Sequence, residues 1–172
     1  GVVYMKEISF SNLQYILNLP DKDTIYENFS LFEAEKTLAF HRTIPEYSEP
    51  PLLNLKELSK EFGVKNIFVK DESYRFGLNS FKALGGSYAI AKLISEKLNL
   101  KNDGIDFRCL SSDDVRNRVG EITFTTATDG NHGRGVAWVS EKLGAKAVIY
   151  MPKGSAESRI ENIKKHGADV YV

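Results

Sequence analysis

The second half of the chain alternates two hydrophobic periods. "EITFTTAT" (121–128), "AKAVIYMP" (145–152) and "ADVYV" (168–172) carry short β-prone runs, while "HGRGVAWVSEKLG" (132–144) and "SAESRIENIKKHG" (155–167) carry helical spacing between them. Strand, helix, strand, helix, strand with short turns predicts a parallel α/β sheet. Upstream, "LLNLKELSKEFG" has helical spacing at Leu52, Leu55, Leu58 and Phe62, with Gly63 placed as its C′ residue. "KNIFVKDES" then reads as a buried strand at Ile67 to Val69, and a helix opens near Phe81 with Leu84, Tyr88, Ala91 and Leu98 on one stripe.

The remaining stretches lack such periods. The first fifty residues read as irregular, with short amphipathic pieces such as "LFEAEKTLAFHR" (31–42), and suit a chain wrapping over a neighbouring surface. Residues 99–120 read as a polar connection without helix or strand period, of a length that marks an insertion or a domain crossing. Val172 ends on a parallel strand whose next crossover is unmade, so the sequence is expected to be a fragment.

Composition narrows the partners. Lys+Arg and Asp+Glu both number 23, which leaves no basic excess for nucleic acid. There is no run of eighteen apolar residues to span a membrane, and the lone Cys109 cannot form an internal disulfide, which suits a reducing cytoplasm. A small neutral or zwitterionic ligand is the expected partner.

Two glycine-bearing turns carry the candidate chemistry. In "TATDGNHGRGVAW", Gly130, Gly133 and Gly135 stand in the turn and first turn of a helix, where a helical glycine costs about 0.8–1 kcal/mol against alanine. Close packing on the sheet is expected to explain one of the three, and approach of a flat ligand or phosphate to the bare amides the others. The order G-x-x-G-x-G is not the dinucleotide fingerprint, and no G-x-x-x-x-G-K-[ST] loop occurs. His41, His132 and His166 stand apart and give no metal cluster. In "NSFKALGGSYA" (79–89), Lys82 lies in a helix's first turn, where the macrodipole disfavours a cation. Phe81 before it favours a neutral amine, and Gly85 and Gly86 leave the backbone bare beyond it. Asp129 precedes a helix, and spacing alone favours an N-cap over a proton-transfer group.

These segments resemble a known family. "VKDESYRFGLNSFKALGG" is similar to the lysine signature of fold type II pyridoxal phosphate enzymes, "DGNHGRGVAW" to their asparagine loop, and "EPPLLNL" to the segment before the lysine strand. Asp129, where serine and threonine dehydratases carry a hydroxyl residue, together with "RFGLNSFKALGGSYA" and "VIYMPKGSAESRIENI", resembles the diaminopropionate ammonia-lyases. The resemblance implies an α/β fold of parallel and mixed sheets with flanking helices, in a two-domain architecture present only in part. Residues 1–98 would belong to a large domain and 99–172 to a small one.

It also implies roles. Lys82 would carry pyridoxal 5'-phosphate and then act as base on Cα, Asn131 would bond the cofactor's phenolic oxygen, and Phe81 would pack on its ring. Gly130 and His132 would complete the cofactor turn. Asp129 would remove the α-proton from the opposite face, so that α,β-elimination of either enantiomer of 2,3-diaminopropionate yields pyruvate and ammonia. The family's habit implies a homodimer acting on an amino-acid substrate. Its phosphate loop and the group facing the pyridine nitrogen are absent here, so this stretch alone is expected to bind the cofactor weakly or not at all and to lack turnover. The alternatives are a serine or threonine dehydratase-like lyase and a non-catalytic binding or interaction module.

Overall fold

Short β-branched runs separated by helices pair in parallel in the computed structural model, which describes residues 5–10, 13–18, 30–100 and 105–172. Strands β5 (Thr123–Ala127), β6 (Lys146–Tyr150) and β7 (Asp169–Tyr171) form a sheet in the order β5-β6-β7. Thr123 pairs with Lys146 at one end, and Tyr150 pairs with Tyr171 at the other. The crossovers are α6 (Asn131–Leu143) and α7 (Glu157–Lys164), as the periodicity predicts. The parallel and mixed α/β class expected from the sequence is therefore the one observed.

The chain divides into two units, Gly1–Ala34 and Glu35–Val172. In the first, β1 (Met5–Phe10) and β2 (Leu13–Asn18) form an antiparallel hairpin in register from Met5 with Asn18 to Phe10 with Leu13. The irregular reading of this region is corrected there. Its strict alternation is broken at Ile16 and Leu17, which hid the strands, whereas a two-residue connection suits a hairpin. Helix α1 (Leu31–Arg42) coincides with the amphipathic stretch.

Three other expectations are revised. Leu52–Asn54 is a strand, β3, paired antiparallel with β4 (Phe68–Lys70), so only Lys56–Glu61 (α2) is helical. The paired prolines before Leu52 hold the chain extended, since the residue preceding a proline avoids the helical region, and Asp71 N–H donates to the Pro51 carbonyl at 2.9 Å. Gly63 does close α2: its φ is +64°, and Val64 N–H and Gly63 N–H donate to the Ser59 and Lys60 carbonyls in a Schellman arrangement. Strand β4, expected to be buried, is exposed along its length. The third revision concerns 99–120, of which 101–104 lie outside the described residues. The rest holds helices α4 (Phe107–Leu110) and α5 (Asp113–Val119), which bury Phe107, Leu110, Val115 and Val119.

Helix α3 (Ala83–Lys97) buries Ala83, Ser87, Ile90, Ala91 and Ile94. That stripe is rotated from the expected one, and Leu84, Tyr88 and Leu98 flank it. Its partner is α6, and the two helices meet beside a cluster of rings. Trp138 stacks on Phe76 (5.0 Å between centroids) and on Phe107 (6.4 Å), while Phe40 packs on Phe107 and Tyr88. Each such pair contributes about 0.5–1.5 kcal/mol beyond the area it buries.

Two glycines set how closely these layers approach. A Cβ on Gly133 would lie 2.4 Å from Thr128 Cγ2 and 2.8 Å from Ile149 Cγ2, and one on Gly135 would lie 3.0 Å from Ala83 Cα. Packing therefore explains both, so the expectation that it explains one of three glycines is corrected. On the far face of the sheet, Thr123, Thr125, Ala127, Tyr150 and Tyr171 are exposed, with Tyr150 and Tyr171 stacked at 5.5 Å.

His41 ties α1 to α3. It is buried, and its Nε2–H donates to the Leu84 carbonyl at 2.9 Å. Burial, more than the nearby Arg75 charge, pushes its pKa below the ordinary imidazole value.

Two outcomes follow. Gly133→Ala overpacks the helix against β5 and β6 and lowers stability by about 1–3 kcal/mol in denaturant unfolding. Because the unfolded chain takes up a proton at His41 more readily than the folded one, stability falls as pH drops from about 7 towards 5. His41→Gln flattens that part of the unfolding profile, which thermal melts at stepped pH will show.

Candidate active site

The lysine turn is shaped before the lysine is reached. After β4, a 3₁₀ segment (Glu72–Gly77) opens with the Asp71 carboxylate accepting from Ser73 N–H. It then passes through left-handed backbone at Phe76 (φ +51°), Gly77 (+68°) and Asn79 (+52°). Such conformations cost a non-glycine residue on the order of 1–2 kcal/mol and persist where the surroundings fix them. The surroundings do so here. Arg75 is buried and its guanidinium makes a two-point contact with Glu72, Nε to Oε2 at 2.9 Å and Nη2 to Oε1 at 3.0 Å; Nη1 also reaches the Ser48 carbonyl. The hydrogen bond from Arg75 holds Glu72 below the usual carboxylate range and, in return, raises the pKa of Arg75. From the other side, Trp138 lies on the Phe76 ring and Arg134 Nη1 donates to the Leu78 carbonyl at 3.1 Å.

Lys82 emerges from this turn as the N-cap residue of α3, one position before the helix proper, with its backbone N–H bonded to Ser80 Oγ. Its side chain is exposed and Phe81 is 58% exposed. The shielding of the amine expected from Phe81 is thus not provided by burial of either residue. A Cβ on Gly85 would meet nothing within 4 Å, and one on Gly86 only Val136 at 3.9 Å. Unlike Gly133 and Gly135, neither is required by packing.

The second turn runs from β5 into α6. Its cap is not Asp129. Thr128 Oγ1 accepts from Gly130 N–H (3.1 Å) and Gly133 N–H (3.3 Å), and Gly130 is the N-cap residue, with φ +153°, a region closed to residues with a Cβ. The spacing argument that favoured an aspartate cap is therefore overturned. The hydroxyl two residues upstream fills that role and leaves the Asp129 carboxylate exposed at the turn. Asn131 is the first residue of α6 and exposed, and His132 beside it is half-buried. Arg159 of α7 donates from Nη1 to the Asp129 carbonyl at 3.0 Å and packs its stem over Gly130.

The two turns are neighbours because their helices touch. Ala83, next to Lys82, lies against Gly135, one helical turn beyond Asn131. This brings together the starts of α3 and α6 and supplies one amine, one carboxylate, one carboxamide and a helix start with an unfilled glycine face. That donor set suits pyridoxal phosphate: an amine for its aldehyde, an amide for its phenolic oxygen, and bare backbone where a flat ring can approach. Thr128, Arg134 and Arg159 were not singled out from the sequence. The hydroxyl two residues before Gly130 was the available signal for Thr128, while the arginines act on carbonyls that no sequence pattern marks.

Known proteins bear on this geometry. Residues 44–172 match the family described as pyridoxal-phosphate dependent enzyme. The diaminopropionate ammonia-lyase of Salmonella typhimurium is 52% identical over 137 residues, covering 80% of this chain and 34% of that protein. The enzyme of the same name from Escherichia coli is 52% identical over 145 residues, 84% of this chain and 35% of that protein. The chain thus spans about a third of the length of these curated relatives. The solved holo diaminopropionate ammonia lyase of Escherichia coli superposes with a TM-score of 0.79 at 44% identity, over 99% of this chain and 40% of that one. A pyridoxal 5'-phosphate-dependent aspartate racemase, at 22% identity and a TM-score of 0.57, shares the fold. With its lysine and asparagine turns brought together by one helix contact and most of its length matched, the chain belongs to the pyridoxal-phosphate dependent enzymes.

Proposed function

We propose that the complete protein is a pyridoxal-phosphate dependent ammonia-lyase that eliminates the β-amine of 2,3-diaminopropionate, giving pyruvate and ammonia. The observation that carries this reading is an Asp129 left free because Thr128 caps the helix in its place, ahead of a helix that packs against the one opening at Lys82, in a chain 52% identical to enzymes of that name. When bound, the cofactor supplies an electron sink for the pair left at Cα.

Lys82 would hold the cofactor covalently and, once freed by the amino-acid substrate, take the proton from Cα at its Nζ. The same ammonium is suited to pass a proton to the departing β-amine, which leaves poorly unless protonated. Asp129 would take the α-proton on the other face, which admits both enantiomers. Asn131 would orient the cofactor's phenolic oxygen, Phe81 would cover the ring, and Gly130 and His132 would complete the turn around it. Gly85 leaves room for close approach at the start of α3.

In this reading the boundary near residue 98 divides a large domain from a small one in the complete protein. The protein is a cytoplasmic homodimer acting on an amino acid. Among the described residues no helix is long and apolar enough to cross a membrane. A dehydratase-like lyase of the same fold, or a non-catalytic module, is separated from this reading by assay.

Expressed from its complete coding region, the protein is expected to release pyruvate from both enantiomers of 2,3-diaminopropionate and to prefer them to serine and threonine. Asp129→Asn should reduce turnover of the D-form by about 10²–10⁴, the range of a lost proton-transfer group, and to a smaller extent that of the L-form. An unchanged D-form rate removes Asp129 from the reaction. Gly85→Ala should raise stability by up to about 1 kcal/mol, since it fills no occupied space, while weakening cofactor binding in an absorbance titration.

A further inference from the structure

Helix α6 grips the turn that presents Lys82 at two points one helical turn apart. Trp138 stacks on Phe76, and Arg134 Nη1 donates to the carbonyl of buried Leu78. Three of the four residues 76–79 are left-handed, two of them without the excuse of being glycine, so this turn does not hold its shape by local preference. The Arg134 bond sits inside it, between Gly77 and Asn79. The arginine is held there at a cost, because its Nε is buried without a hydrogen-bond partner among the described residues. A side chain retained for packing alone has no need of a guanidinium at that place.

The same helix begins with Asn131, three residues before Arg134. Anything that moves α6 relative to the lysine turn would change where the carboxamide stands against the amine. We infer that Arg134 is a positioning residue that fixes the Lys82 turn against the Asn131 turn through the Leu78 carbonyl. This rests on the proposal that Lys82 and Asn131 serve the same cofactor. Arg134 itself touches backbone and is assigned no chemical step.

The test uses the protein expressed from its complete coding region, titrated with pyridoxal 5'-phosphate and followed by absorbance and by the circular dichroism of the bound cofactor. Arg134→Met should weaken binding about tenfold, the change expected when one buried hydrogen bond that orders a site is lost. It should also alter the dichroic band, which reports how the ring is held. Arg134→Lys, which keeps one donor able to reach the carbonyl, should restore most of both. If Arg134→Met does not fold, Arg134→Gln, polar but too short to reach, replaces it with the same expectation. A folded Met or Gln variant with wild-type affinity and an unaltered band overturns the inference and leaves the functional reading standing. Wild-type protein that titrates no differently from Lys82→Ala overturns the functional reading and the inference with it.

Discussion

The structure depends on how closely α6 can lie against its neighbours. Gly133 lets it settle on Thr128 and Ile149, and Gly135 lets the start of α3 settle on it in turn. A methyl group would overlap its neighbours at either position, most severely at Gly133, where it would lie 2.4 Å from Thr128 Cγ2, and close-packed interiors do not absorb that freely. The glycines weaken α6 as an isolated helix, and the packing they permit more than offsets that. From this one contact the geometry of the site follows, since the residues flanking it on the two helices are Lys82 on one side and Asn131 on the other.

The two candidate turns are therefore built on packed helices, although each turn is locally strained or bare. Phe76, Gly77 and Asn79 are held left-handed by Trp138, Arg134 and the buried Arg75–Glu72 pair. Gly130 takes a backbone angle reserved for glycine, and Thr128 caps α6 from two residues upstream. The capping hydroxyl has a chemical consequence: it accepts from the Gly130 and Gly133 amides and leaves Asp129 free of that duty. A carboxylate that caps its own helix is poorly placed to exchange protons.

Much of this was legible in the sequence, and where it was not the reasons are physical. The β5-α6-β6-α7-β7 run reads directly because its two helices are long enough to show their period and separate the β-prone runs. The lysine and asparagine turns were marked by glycines with no place in a regular helix. By contrast, β3 was hidden because Leu52, Leu55 and Leu58 keep a helical spacing while the prolines before them dictate extended backbone. The helices of 105–119 were hidden because each is only one or two turns long and their buried residues come in pairs, Phe107 with Leu110 and Val115 with Val119. The roles of Gly133 and Gly135 could not be read either, since packing on a partner and openness to a ligand leave the same letter in the chain. Only the neighbours tell them apart, and they assign packing to these two and open space to Gly85.

Everything proposed for the site turns on Lys82 as the amine that carries the cofactor. Reductive trapping with borohydride in the presence of pyridoxal 5'-phosphate, followed by proteolysis and mass spectrometry, tests it directly. A phosphopyridoxyl group is expected on the peptide containing Lys82, with the other lysines unlabelled at stoichiometric cofactor. A label distributed over surface lysines, or fixed on a lysine other than Lys82, would contradict it.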